Sequence, residues 1–151
     1  MTISTKGRYA LRIIIDLAEN DNGSYIPMKQ VAERQGLSLK YLEHILSILK
    51  QKNLVEGLHG KGGGYKLTKK PEEYTVGEIL RLVEGDLAPV ACLECGAKPC
   101  ENVGKCRTIK MWRGLHNLIE EYFDGITVRD LMQDDTDPTK KVDKSFLAAS
   151  L

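Results

Sequence analysis

Apolar residues recur at helical spacing through most of the chain and alternate along only one short stretch. Ala10, Ile13, Ile14 and Leu17 form the first stripe, widened by Leu11, Ile15 and Ala18, and predict a helix over residues 4–20. Residues 21–25 read as a turn, and Pro27 keeps Ile26 out of helical geometry. The next helix is MKQVAERQ, closed by Gly36 where the chain reversal needs a left-handed residue. A third helix opens near Ser38. Its Leu42, Ile45, Leu46 and Leu49 lie at i, i+3, i+4 and i+7, which leaves Lys40, Glu43, His44, Ser47, Lys50 and Gln51 off the apolar face. Val55 and Leu58, then Tyr65 and Leu67, flank HGKGGG and predict two strands joined by a glycine-tipped hairpin.

Beyond the hairpin the pattern returns to helical. Thr75 with Glu78 fits a capping box and Tyr74 with Ile79 a hydrophobic staple, so Ile79, Leu80 and Val83 belong to a fourth, short helix ended by Gly85. Residues 87–105 form a loop rich in Gly, Pro and Cys. From Cys106 onwards, Met111, Trp112, Leu115, Leu118, Ile119 and Tyr122 recur at heptad-like spacing as far as Asp124 and Gly125. A stripe of that kind outside a compact head calls for burial against a second copy of the chain, against the chain's own first helix, or both. Thr127 with Asp130 and Ile126 with Leu131 predict a short last helix. Residues 134–151 are polar and read as a mostly disordered tail, with Phe146 and Leu147 as a weak docking point.

The expected fold is mainly α with one small β-hairpin: a winged helix-turn-helix head followed by a long dimerisation helix. Four segments follow, with a DNA-binding head at 1–85, a cysteine loop at 86–106, the dimerisation helix and short C-terminal helix at 107–133, and the tail at 134–151. Two short helices joined by a turn containing Gly, followed by a basic hairpin, are the order of a DNA reader. The plain alternative is a helical pair with a hairpin packed on it.

Composition sharpens this picture. The net charge is only +1, but residues 1–70 hold twelve Lys or Arg against six Asp or Glu, and the rest holds ten against fifteen. A basic head on an acidic body suits phosphate binding by the head alone. Lys6, Arg8 and Arg12 crowd the start of the first helix against its dipole, which points to phosphate contact there. Hydrophobic residues make up 42% of the chain, enough for a packed core, and no run approaches a membrane span. No signal peptide is evident in the N-terminal residues, so a cytoplasmic location and reduced cysteines are expected. An enzyme is not expected. His44, His59 and His116 are scattered, with His116 expected at the surface. GKGGG is no nucleotide loop, because glycine instead of Ser or Thr follows its lysine and a strand comes next.

All four cysteines, Cys92, Cys95, Cys100 and Cys106, fall within fifteen residues. Thiolates so close, spaced by Gly and Pro, can converge on one soft metal. An iron–sulfur cluster, a structural zinc and plain redox-active thiols all fit the spacing.

Five blocks, STKGRYAL, LSLKYLEHIL, GKGGGYKL, TVGEILRLVEG and the run from Cys106 to Trp112, resemble the Rrf-type bacterial transcriptional regulators (the IscR-, NsrR- and CymR-like proteins). The resemblance covers about residues 1–133. It implies a homodimer, joined through the long helix, that binds a pseudo-palindromic operator in double-stranded DNA as repressor or activator. Cys92, Cys100 and Cys106 match the three cysteines that hold a 2Fe–2S cluster in cluster-binding members. The usual fourth ligands are absent: a His position is Ile109 here and an acidic position is Arg8. Cys95, an extra cysteine, completes a four-thiolate set. The resemblance also marks Glu43 as a base reader, a carboxylate being suited to the cytosine amino group. Ser38, Lys40, Tyr41 and His44 share its end of the recognition helix, and His59 and Lys61 lie on the wing. Two alternatives stay open: a cofactor-free regulator controlled by a sulfur-metabolism enzyme or by thiol redox state, and a zinc-stabilised regulator.

Overall fold

The structure, a computed structural model, describes residues 1–132. The predicted tail lies outside the described residues. The elements run α1 (Thr5–Glu19), α2 (Met28–Gln35), α3 (Leu39–Gln51), β1 (Val55–Leu58), β2 (Gly64–Leu67), α4 (Val76–Glu84), α5 (Ile109–Asp124) and α6 (Val128–Leu131).

The predicted stripes are the core. Ala10, Ile13, Ile14 and Leu17 of α1 meet Leu42, Ile45, Leu46 and Leu49 of α3, with Val31, Leu54, Tyr74 and Ile79 closing the cluster. Pro27 supplies an extended residue ahead of α2, and Gly36 is left-handed at its end (φ 65°). Ser38 caps α3, its hydroxyl accepting from the Tyr41 amide at 3.2 Å. The strands pair antiparallel, with Glu56 opposite Lys66 and Leu58 opposite Gly64. Ile26 adds a bridge to Tyr65 through two 2.9 Å hydrogen bonds, fixing the wing to the segment before α2. That approach requires glycine at 64, since a side chain there would collide with the Ile26 carbonyl.

A second cluster gathers Val76, Leu80, Leu87 and Ile126, with Ile119, Tyr122 and Phe123 of α5 packed on it. The principal neighbour of α5 is therefore α4, and not α1 as one expectation had it. Arg81 of α4 fixes this packing by reaching both Glu120 and Asp124 of α5, the latter at 2.6 Å. The other face of α5 is uncovered among the described residues: Met111 is 56% and Leu115 39% exposed.

Two local expectations change and one holds. The long helix starts at Ile109, three residues later than its sequence pattern, because the Thr108 hydroxyl turns to the Cys106 thiol and makes no cap. Thr75 caps α4 by accepting from the Glu78 amide, but Glu78 gives its carboxylate to Lys69 at 2.7 Å, so the reciprocal half of that box is missing. The complete capping box is the later one, at Thr127 and Asp130.

Candidate nucleic-acid interface and cysteine loop

The residues left off the apolar stripe of α3, Gln51 excepted, face one open cleft. Lys40, Glu43, His44, Ser47 and Lys50 line it from α3, and His59 and Tyr65 from the wing; its volume is about 460 Å³. A second hollow of about 260 Å³ lies beside it, between the wing glycines and the start of α2. Glu43 lines both, which puts its carboxylate where helix and wing meet. Lys61 stands exposed at the hairpin tip. Lys66, by contrast, is spent: it pairs with Glu56 across the strands at 2.9 Å, and that bond raises its pKa. Lys61 is therefore the wing cation left for a phosphate.

The other predicted contacts divide. Arg8 is exposed, its guanidinium donating to the Thr5 hydroxyl at 3.1 Å, while Lys6 is half-buried. Arg12 is engaged, donating to the Gln35 side chain and carbonyl at the end of α2 and lying 4.7 Å over the Tyr9 ring. Tyr41 meets Tyr9 edge to face at 5.8 Å and is half-buried, so its ring steadies α3 against α1. Ser38 spends a lone pair on its cap.

Sequence reading missed three features. Leu39, at the start of α3, is 49% exposed and gives this end of the helix an apolar contact suited to a thymine methyl. Its position off the stripe was the available signal. Asp16 is 3% exposed and accepts from Arg34 and Gln35, joining α1 to α2. A charge among the apolar residues of α1 was its signal. Glu84 of α4 accepts from the backbone and hydroxyl of Ser4. A carboxylate at that helix start offsets Lys6 and Arg8, and nothing local in the sequence announced it.

The cysteine loop joins α4 to α5 and includes two short 3-10 turns, Ala91–Leu93 and Val103–Lys105. Cys92, Cys95 and Cys100 are exposed and Cys106 is half-buried; all four are free thiols. The Cys106 thiol bonds the Thr108 hydroxyl at 3.4 Å, and that bond draws its pKa below the usual thiol value. The donor set fits an iron–sulfur cluster in its chemistry, being four soft thiols with one already biased towards thiolate. In the arrangement described the thiols stand apart, and among the described residues no three of His, Cys, Asp and Glu are gathered as metal donors. His116 departs from expectation: it is half-buried, with Nδ1 enclosed.

A helix-turn-helix whose second helix shares an open, mostly basic cleft with an adjacent hairpin defines a winged-helix DNA-binding protein. Comparison with known proteins narrows this. The chain belongs to the Rrf2 family, described as iron-dependent transcriptional regulators, whose model matches residues 3–134. It is 37% identical to the HTH-type transcriptional regulator IscR of Aliivibrio salmonicida over 134 residues, 89% of this chain and 79% of that protein. It is 35% identical to IscR of Escherichia coli over 132 residues, 87% and 80% of the two chains. Among solved structures, CymR, the global cysteine regulator of B. subtilis, superposes with a TM-score of 0.73 at 34% identity, covering 91% of this chain and 99% of that one. The IscR of T. potens gives 0.67 at 34% identity, covering 90% and 89%. These relatives are transcriptional regulators and not enzymes. No helix among the described residues is long and apolar enough to cross a membrane.

Proposed function

We propose that this regulator works as a homodimer joined through the uncovered face of α5, and that a 2Fe–2S cluster in the cysteine loop modulates its grip on a pseudo-palindromic operator. The observation that carries the reading is the position of the loop. Four thiols sit on the segment between α4, which packs on the DNA-reading head, and α5, whose Met111 and Leu115 are exposed. Cys92, Cys95, Cys100 and Cys106 are the residues that would hold the cluster. When bound, the cluster supplies a centre sensitive to iron, oxidants and nitric oxide. Gathering the thiols requires the loop to draw in, and the loop ends on α5. In a dimer, that movement changes the spacing of two recognition helices that must meet half-sites one helical turn or a multiple apart.

The visible spectrum of anaerobically purified protein tests this reading. A brown protein containing iron and acid-labile sulfide supports it, and a colourless protein or one containing only zinc refutes it. Equal affinity of loaded and unloaded protein for every operator removes the coupling. Cys95→Ala is expected to change or abolish the visible absorption, and an unchanged spectrum excludes Cys95 as fourth ligand.

The likeness to CymR favours a second reading: a cofactor-free regulator of cysteine metabolism, controlled by a partner enzyme or by thiol redox state. The same spectrum separates the two.

DNA contact by the wing has its own test. Lys61→Ala is expected to lower the slope of log K against log salt by about one unit, one counterion fewer being released. An unchanged slope would take the wing tip off the phosphates.

A further inference from the structure

The cysteine loop is fastened at its start. Both carboxylate oxygens of Asp86 accept from backbone amides, Oδ1 from Ala88 at 2.6 Å and Oδ2 from Cys95 at 2.7 Å. The second bond spans nine residues and closes the lap of loop that carries Cys92 and Cys95. Asp86 is itself held in place, because Leu87 beside it is buried in the cluster on which α5 packs.

The same two bonds, the Cys95 amide first, keep the Asp86 carboxyl below the usual carboxylate range.

We propose that Asp86 is the positioning residue of the cysteine loop, so that the Cys92–Cys95 lap is registered, through the neighbouring Leu87, against the cluster on which α5 packs. Its importance for a cluster rests on the function proposed above; the joint itself does not. A flexible loop carrying thiol donors presents them reproducibly only when a group behind them is fixed. Asp86 is that group, because its carboxylate bonds the backbone and leaves every thiol free.

Hydrogen exchange and visible circular dichroism on the full chain test the joint. In the metal-free protein, Asp86→Ala is expected to speed exchange of the Ala88 and Cys95 amides about tenfold or more. Asp86→Asn, which keeps one acceptor oxygen, restores slow exchange at one of the two. Wild-type exchange at 88 and 95 in Asp86→Ala overturns the positioning role. After anaerobic reconstitution with iron and sulfide, the visible dichroism of Asp86→Ala should differ from wild type, with Asp86→Asn closer to it. An identical spectrum in Asp86→Ala refutes any role towards the cluster. If wild type itself forms no chromophore, the cluster reading fails, while the exchange data still decide the joint.

Discussion

Replacing Tyr74 by Phe is expected to lower stability by about 3 kcal/mol, although it removes a single oxygen. That oxygen donates to the Leu54 carbonyl at 2.7 Å and accepts from the amides of Thr68 and Lys69, both at 3.0 Å. Tyr74 is fully buried, so water cannot readily replace the lost partner. Two amides and one carbonyl are left unsatisfied, each costing of order 1 kcal/mol or more. In a chain of this size the melting temperature should fall by roughly 10 °C. Leu54 precedes β1 and Thr68 follows β2, so the damage concentrates where the wing is rooted. Thermal melts combined with exchange at residues 54, 68 and 69 check this. A loss below about 1 kcal/mol would mean that the freed groups find other partners.

The second large effect is expected at Asp16→Ala. The carboxylate accepts from Arg34 Nη2 at 2.7 Å, from Arg34 Nε at 3.0 Å and from Gln35 Nε2 at 2.8 Å. Breaking a fully buried pair costs about 3–5 kcal/mol. Arg34 is 35% exposed and can rehydrate, so about 2–3 kcal/mol is the appropriate expectation. Asp16→Asn keeps the shape and one acceptor and should lose less. Chemical denaturation reads both. Because Asp16 joins α1 to α2, the Ala variant should also weaken DNA binding more than its folded fraction explains. Binding that follows the folded fraction would limit Asp16 to stability.

The head was legible from the sequence because its signals are local. The stripe of α3, the proline before α2, Gly36 and the glycines of the wing act within a few residues, and each reappears where its spacing put it. The distant pairings were not legible. Arg12 looked like a phosphate contact, yet Gln35 and Tyr9 occupy it. Glu78 looked like half of a capping box, yet Lys69 takes its carboxylate. Sequence spacing carries no information about which charges meet across elements. The cleft was largely readable, since Lys40, Glu43 and His44 had to lie opposite the buried stripe. Leu39 was overlooked because an apolar residue draws attention only when it falls on a stripe. The thiols could be counted but not arranged, because a loop with few buried side chains takes its shape from bonds such as those of Asp86.

The two carboxylates on Arg81 have a mechanical consequence. One guanidinium grips α5 at Glu120 and Asp124, near its far end, while α4, which carries Arg81, lies along α1. On the function proposed above, a turn imposed at the near end of α5, where the sulfurs are, is expected to reach the head through α4.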